Sequence, residues 1–344
     1  MYEAALYEQL DQGRVQCHLC AHHCTISPGR HGLCQVRLNE QGRLYSLVYG
    51  QAVSVGVDPI EKKPLYHFYP GAQAFSVGTP GCNFRCGWCQ NADISQRPRE
   101  RAMPLTRELP PAQIVDQARR TGCHIIAYTY NEPTIFYEYA RDTARLARQA
   151  GMANVFVTNG FMSERMLADI DGWLDAANVD LKSFSDKVYR DHVGARLDPV
   201  LRNLNILKQM GVWLEVTTLL IPGLNDGAEE LTELAGFIAD RLGAATPWHI
   251  SRFFPAFEWT DTPPTSLDNM HKALQIGERA GLRNIYLGNV GSESNLLCSN
   301  CGRPLIRRGG YGLLQNNITS DQACPNCGQP VAGVGMAGLD AEAT

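Results

Sequence analysis

The chain of 344 residues predicts an α/β fold, a partial (β/α)6 barrel of the TIM type. Three features point there: short apolar runs recur along the middle of the chain, amphipathic stretches separate them, and glycine punctuates the joins. The apolar runs fall at residues 74–78, 125–129, 154–158, 178–181, 213–220, 249–254 and 285–287. Each is of strand length and carries the β-branched and aromatic residues that suit a pleated sheet. Between them, stretches such as 134–150, 199–210, 228–242 and 267–280 place apolar residues at helical spacing. Four of the intervening helices stop at Gly122, Gly151, Gly211 and Gly281, directly before a strand. Glycine tolerates the left-handed conformation that ends a helix, so the pattern reads as a repeated helix–turn–strand unit. Strands alternating with helices imply a parallel sheet with right-handed crossovers. A Rossmann sheet is the runner-up, but no Gly-x-Gly-x-x-Gly follows the first strand.

Composition narrows the class. Hydrophobic residues make up 44% and charged residues 19%, as in an ordinary soluble enzyme. A net charge of −4 argues against nucleic acid or an anionic membrane as partner. Met1-Tyr2-Glu3-Ala4-Ala5-Leu6 does not have the pattern of a signal peptide, and no apolar run has the length of a membrane span. Eleven of the 12 cysteines fall into three tight groups with metal-ligand spacing. That usage reads as metal and cluster chemistry in a reducing compartment, so the expected location is the cytoplasm.

The cysteine groups divide the chain. Residues 1–50 hold Cys17, Cys20, Cys24 and Cys34, residues 51–295 form the barrel, and residues 296–331 hold Cys298, Cys301, Cys324 and Cys327. A Gly- and Ala-rich tail, 332–344, is expected to be disordered. The carboxyl-terminal set is two C-x2-C knuckles, each followed by Gly, a zinc-ribbon pattern that supplies four thiolates for Zn2+. The amino-terminal set, C-x2-C-x3-C-x9-C, closes either a zinc site or a second four-iron cluster; the spacing fits both, and zinc is the favoured occupant.

The third group is the most informative. Cys82, Cys86 and Cys89 lie in Gly81-Cys82-Asn83-Phe84-Arg85-Cys86-Gly87-Trp88-Cys89-Gln90. A [4Fe-4S] cluster takes four thiolates, and this C-x3-C-x2-C loop offers three, leaving one iron open to another ligand. Zinc would want a fourth ligand that the loop lacks. Gly81 and Gly87 relax the backbone, and Trp88 sets a flat apolar face beside the last thiolate. The loop resembles that of the radical S-adenosylmethionine (SAM) enzymes. The resemblance implies that the open iron chelates SAM, whose reductive cleavage gives a 5′-deoxyadenosyl radical.

In a barrel of this kind, functional residues collect at the carboxyl ends of the strands, where the cysteine loop itself lies. Tyr128-Thr129-Tyr130-Asn131-Glu132-Pro133 follows the second strand, Thr158-Asn159-Gly160 the third, and Asp180-Leu181-Lys182 the fourth. SAM carries an ammonium, a carboxylate, a ribose diol and an adenine. Glu132 is suited to the ammonium, Lys182 to the carboxylate, and Asn or Thr side chains such as Asn131, Thr158 and Asn159 to the ribose diol. Asn131-Glu132-Pro133 also reads as a helix start, Lys182 as a solvated strand end, and Asp180 as a structural acceptor. Glu215, Thr217 and Thr218 lie on the fifth strand. On the sixth, His249 and Arg252 face opposite ways; Arg252 is expected to point inward, with His249 as the alternate. The aromatic group of Tyr128, Tyr130, Phe136 and Tyr137 reads as core.

The chain is similar to the radical SAM enzymes of the AmmeMemoRadiSam system, relatives of the pyruvate formate-lyase activating enzymes. Tyr66-His67-Phe68-Tyr69-Pro70-Gly71, the cysteine loop through Gln90-Asn91 and Ile94-Ser95-Gln96, Tyr128–134, 155–160, 179–182 and 248–253 carry the likeness. The resemblance implies a partial (β/α)6 barrel, a SAM-carboxylate role for Lys182 and a SAM-ammonium role for Glu132. It also implies Memo-like and AMMECR-like proteins as partners, and a low-potential electron donor such as flavodoxin or ferredoxin. The activases carry Gly-Gly-Glu where this chain has Asn131-Glu132-Pro133. Turnover of a small molecule or peptide therefore ranks ahead of glycyl-radical activation, and both rank ahead of a non-catalytic scaffold or electron carrier.

Overall fold

The structure, a computed structural model, describes residues 1–96, 98 and 103–339. Its centre is an eight-stranded sheet. Seven strands are parallel and adjacent in chain order: β1 (Gln73–Gly78), β2 (Ile125–Tyr128), β3 (Ala153–Thr158), β4 (Ala176–Asp180), β5 (Trp213–Leu220), β6 (Trp248–Arg252) and β7 (Ile285–Gly288). The strand Ser54–Pro59 runs antiparallel on the outer side of β1. Among the described residues no ladder joins that strand to β7, so the sheet curls without closing. Six strand–helix units are thus followed by a seventh strand, as the seven apolar runs and the (β/α)6 expectation required.

Five helices return the chain between strands: α1 (Pro111–Arg120), α2 (Tyr137–Gln149), α3 (Glu164–Ile170), α4 (Asp198–Gln209) and α5 (Ala228–Phe237), with α6 (Leu267–Arg279) leading to β7. Side-chain oxygens of Ser163 and Ser266 accept the amides of Met166 and Asn269, capping α3 and α6. Gly122, Gly151, Gly211 and Gly281 all take left-handed φ where the helices end, as the punctuation required. Both faces of the central strands are covered, which is why they read as unbroken apolar runs.

The floor of the barrel is tied by one carboxylate. Glu215 on β5, fully buried, accepts the amides of Tyr66 (3.0 Å) and His67 (2.7 Å), the Trp213 indole (3.0 Å) and the His249 ring (2.6 Å). The segment around Tyr66 and His67 thereby crosses the amino ends of the strands.

Small β modules flank the barrel. Residues 2–46 form two three-stranded sheets, held to the barrel by the buried Arg37–Glu138 pair at 2.6 Å. Strands Ser294–Leu297, Pro304–Gly309 and Gly312–Asn316 form a third sheet, joined to the barrel through Arg308 and Glu61. The expected disordered tail is corrected for residues 332–339. Val334 pairs with Phe68, Met336 is fully buried, and the Ala332 carbonyl bonds the His67 ring. Small residues at 332–338 permit this close packing rather than signalling disorder; residues 340–344 of the expected tail lie outside the described residues. Among the described residues no helix is long and apolar enough to cross a membrane.

Candidate functional site

The cysteine loop leaves the carboxyl end of β1 and folds over the mouth of the barrel. Two glycines let it lie flat. Gly81 has φ of +94°, and a Cβ there would stand 2.8 Å from the Cys34 carbonyl; a Cβ on Gly87 would stand 2.6 Å from the Trp259 indole nitrogen. Side chains larger than hydrogen would lift the loop from both neighbours. The Phe84 amide points at Cys82 Sγ (3.3 Å), and Ser95 Oγ lies 3.1 Å from Cys89 Sγ. Burial pushes the Cys86 thiol up to about 12 and raises Cys82 well above its ordinary value. Both are neutral until a metal displaces the proton.

All three cysteines border a cleft with about 840 Å3 of empty space, partly open to solvent. Trp88, Asn131, Asn159, Asp180 and Lys182 line it too, so five further sequence-predicted residues converge on the loop from β1, β2, β3 and β4. Lys182 Nζ bonds Asp180 at 2.7 Å. Burial opposes the lysine charge, but Asp180 and the neighbouring thiols outweigh it and raise Lys182 above its usual value. Lys182 is a fixed cation for a carboxylate. Asn131 Nδ2 donates to the Gly81 carbonyl at 2.7 Å, which aims its Oδ1, a buried acceptor without a partner, at the loop side of the cleft. Trp88 packs edge-on against Trp259, with centroids 5.1 Å apart.

Three expectations need correction. Glu132, fully buried, does not line the cleft. It accepts the amide and hydroxyl of Thr134 (2.9 and 2.5 Å), the Thr158 hydroxyl (2.7 Å) and the Asn159 amide (2.7 Å). Three of these donors meet Oε1 and one meets Oε2, so the carboxylate is engaged chiefly by the turns that follow β2 and β3. Burial pushes its carboxyl up despite those donors. Thr158 is likewise spent on Glu132 and the Gly160 amide. Glu132 and Thr158 instead set the turn that presents Asn159, whose Nδ2 bonds Asn83 at 2.7 Å.

Arg252 is the third correction. Its Nε donates to the Thr265 carbonyl (2.7 Å) on the helix side of β6, while Ser251 lines the cleft. His249 has the inward parity but lies at the floor, against Glu215. The signal was present: Trp248 and Ile250 are the apolar, helix-facing positions of β6, and Arg252 shares their parity.

The cleft also draws on Thr217 of the fifth-strand group and on residues that the motif reading left unassigned to it: Gln90, Asn91, Tyr130, Leu219 and Ser251. Thr217 and Leu219 alternate on β5 with outward Val216, so strand parity alone would have selected them. Tyr130, expected in the core, takes φ of +72°; its hydroxyl bonds Asp58 (2.9 Å) and its carbonyl accepts from Asn91 (2.5 Å).

The carboxyl-terminal thiols are drawn much closer. Cys298 and Cys327 lie 3.6 Å apart, Cys301 and Cys324 3.7 Å. All four sulfurs lie within 4.8 Å of one another, a grouping that could hold a metal ion. The Arg303 amide and the Asn326 side chain lower Cys301 to about 6, toward the thiolate.

Comparison with known proteins agrees with this architecture. Residues 76–235 match the Radical SAM superfamily. The chain is 44% identical over 310 residues to Uncharacterized protein MJ0808 of Methanocaldococcus jannaschii, covering 90% of this chain and 92% of that one. It is 28% identical over 172 residues to GTP 3',8-cyclase of Stenotrophomonas maltophilia, 47% of this chain and 50% of the cyclase. A radical SAM methyltransferase from Sphaerobacter thermophilus shares the fold, with a TM-score of 0.50 at 18% identity, over 69% of this chain and 71% of that one. A three-cysteine loop at the mouth of a parallel α/β barrel, and likeness along nearly the whole chain, lead to one statement: the protein belongs to the family of the M. jannaschii protein MJ0808, within the radical SAM superfamily.

Proposed function

We propose that this protein is a radical SAM enzyme acting on a small-molecule or peptide substrate. The observation that carries the reading is the convergence of three buried or half-buried thiols, a paired lysine and an unpartnered buried acceptor on one cleft. Those donors fit a [4Fe-4S] cluster and SAM, which when bound supply a 5′-deoxyadenosyl radical able to abstract hydrogen.

The remaining work belongs to the chain. Cys82, Cys86 and Cys89 hold three irons, and the loop supplies no fourth thiolate. Asn131 Oδ1 is placed to accept from the SAM ammonium, and Lys182 to pair its carboxylate. Asp180 holds Lys182 in place, and Asn159 borders the same space. Trp88 and Leu219 give the cleft apolar walls that keep water from a reactive carbon radical. The space beyond them, bordered by Tyr130, Thr217 and Ser251, is where a substrate of modest size would lie.

Activation of a glycyl-radical partner is the second reading. The relation to activating enzymes favours it, and the absence of Gly-Gly ahead of Glu132 weighs against it. A low-potential donor of the flavodoxin or ferredoxin type is the proposed reductant, and Memo-like and AMMECR-like proteins are the proposed partners.

The test is anaerobic reconstitution followed by a 5′-deoxyadenosine assay under strong reductant. Wild-type protein is expected to release 5′-deoxyadenosine, and a Cys82→Ala, Cys86→Ala, Cys89→Ala variant is expected to release none while keeping its zinc. Cluster assembly without 5′-deoxyadenosine would refute the enzyme reading and favour a scaffold.

A further inference from the structure

Cys17, Cys20, Cys24 and Cys34 line a single cavity of about 320 Å3 in the amino-terminal module. Their spacing differs in kind from that of the carboxyl-terminal quartet. Among the described residues, one group of three or more His, Cys, Asp or Glu side chains has all its ligand atoms within 4.8 Å of one another, and it is Cys298, Cys301, Cys324 and Cys327. The amino-terminal thiols ring their cavity more widely than that. A single zinc ion would need them about 3.8 Å apart. A cubane cluster gives each thiolate its own iron and so holds its ligands farther apart. Cys82, Cys86 and Cys89, which fit a cluster, fail the 4.8 Å criterion in the same way.

The cavity is also furnished for an anionic, sulfur-rich group. Two buried donors without partners, Arg37 Nε and Asn83 Nδ2, belong to residues that line it. Both residues are at least 98% buried. Inorganic sulfides and thiolates accept such N–H groups, whereas a closed four-thiolate zinc site brings only its four sulfurs. Leu19, Ile26 and Ile135 supply the apolar wall.

We infer that the amino-terminal quartet is a second iron–sulfur site, the alternative to the zinc favoured from the sequence. Its place in the fold gives it a task. Asn83 lines this cavity while its neighbour Cys82 lines the catalytic cleft, and the Cys34 carbonyl lies against Gly81. One residue of backbone therefore separates the two sites. The site takes one electron from a reduced flavin- or iron–sulfur-type carrier protein, passing from [4Fe-4S]2+ to [4Fe-4S]1+, with no bond made or broken and no proton moved. Its role as the entry point for electrons rests on the reading under Proposed function; its occupancy does not.

The experiment is metal analysis and paramagnetic resonance on full-length, anaerobically reconstituted protein. Wild type is expected to hold about eight irons and one zinc. The Cys82→Ala, Cys86→Ala, Cys89→Ala variant should keep about four irons and, once reduced, a cluster signal that SAM does not alter. A Cys20→Ser, Cys24→Ser variant should keep the other four irons and a SAM-sensitive signal. About four irons and two zincs in wild type, with no iron in the triple variant, would overturn the site. The wild-type count stands even where a variant fails to fold, and it is independent of whether 5′-deoxyadenosine forms. Reduced wild type should show spin–spin broadening absent from both variants; a spectrum equal to the sum of theirs would overturn the relay.

Discussion

Asn131 and Glu132 are adjacent in the chain and have opposite fates. The glutamate, the more obvious SAM ligand by charge, accepts donors from Thr134, Thr158 and Asn159 away from the cleft, and the asparagine keeps one buried oxygen without a partner. Asn131→Ala should therefore weaken SAM binding about tenfold or more, the cost of one hydrogen bond to a charged group, with iron content unchanged by elemental analysis. Glu132→Gln would set an amide NH2 against the donors that the carboxylate now accepts. It should lower the melting temperature, with a smaller loss of SAM affinity in the folded fraction. A larger affinity loss in the glutamine variant than in Asn131→Ala would return Glu132 to the binding site. That the cysteines, Lys182, Asn131 and Asn159 border one cleft was legible because their residue types are poor core choices at strand ends. The engagement of Glu132 was not legible because the sequence does not say which polar neighbours will claim a buried carboxylate.

Parity decides what each strand offers. On β6, Ser251 faces the cleft and Arg252 the helix layer, where its guanidinium also lies over Phe254 at 5.0 Å. Ser251→Leu should obstruct the cleft and cut substrate turnover severalfold with the cluster intact, while Arg252→Gln should leave 5′-deoxyadenosine formation within about twofold of wild type. A kinetic comparison of the two variants reads the parity directly, and the reverse ranking would contradict it. The strands themselves were easy to place from apolar runs and terminal glycines. Their inward set was harder, because strands buried on both faces lose the alternation that marks an inner side. The seventh strand was visible as a run at 285–287, and the sheet order sets it beside β6.

At the scale of the molecule, the flanking modules are joined to the barrel by buried polar contacts. Arg308 and Glu61 are both fully buried, 3.2 Å apart, and Arg308 also donates to the Tyr66 carbonyl at 2.6 Å. Arg308→Met should cost about 3 kcal/mol, because it leaves a buried carboxylate without its cation; the check is the denaturation midpoint. His67 couples the same region to pH. Burial lowers its pKa to about 4 from the ordinary 6.5, so the unfolded chain binds the proton first as pH falls. Its contribution is full above pH 6.5 and lost toward pH 4, a decline of up to about 3 kcal/mol. His67→Asn should flatten that slope in chemical denaturation across the range. The modules were plain in the cysteine spacing, but the docking of 332–339 was not, since small residues mark close packing as well as disorder.

The floor carboxylate has a consequence in time. Glu215 meets the amides of Tyr66 and His67 across 149 and 148 residues of chain. Contacts of that span are entropically costly and form late in folding. During synthesis the cysteines of both proposed cluster sites emerge before the floor residue does, so in the nascent chain the barrel stays open from below while its thiols are already exposed. If iron–sulfur clusters occupy those sites, slow iron supply is expected to yield folded protein with low iron content, which elemental analysis of protein from iron-limited growth would check.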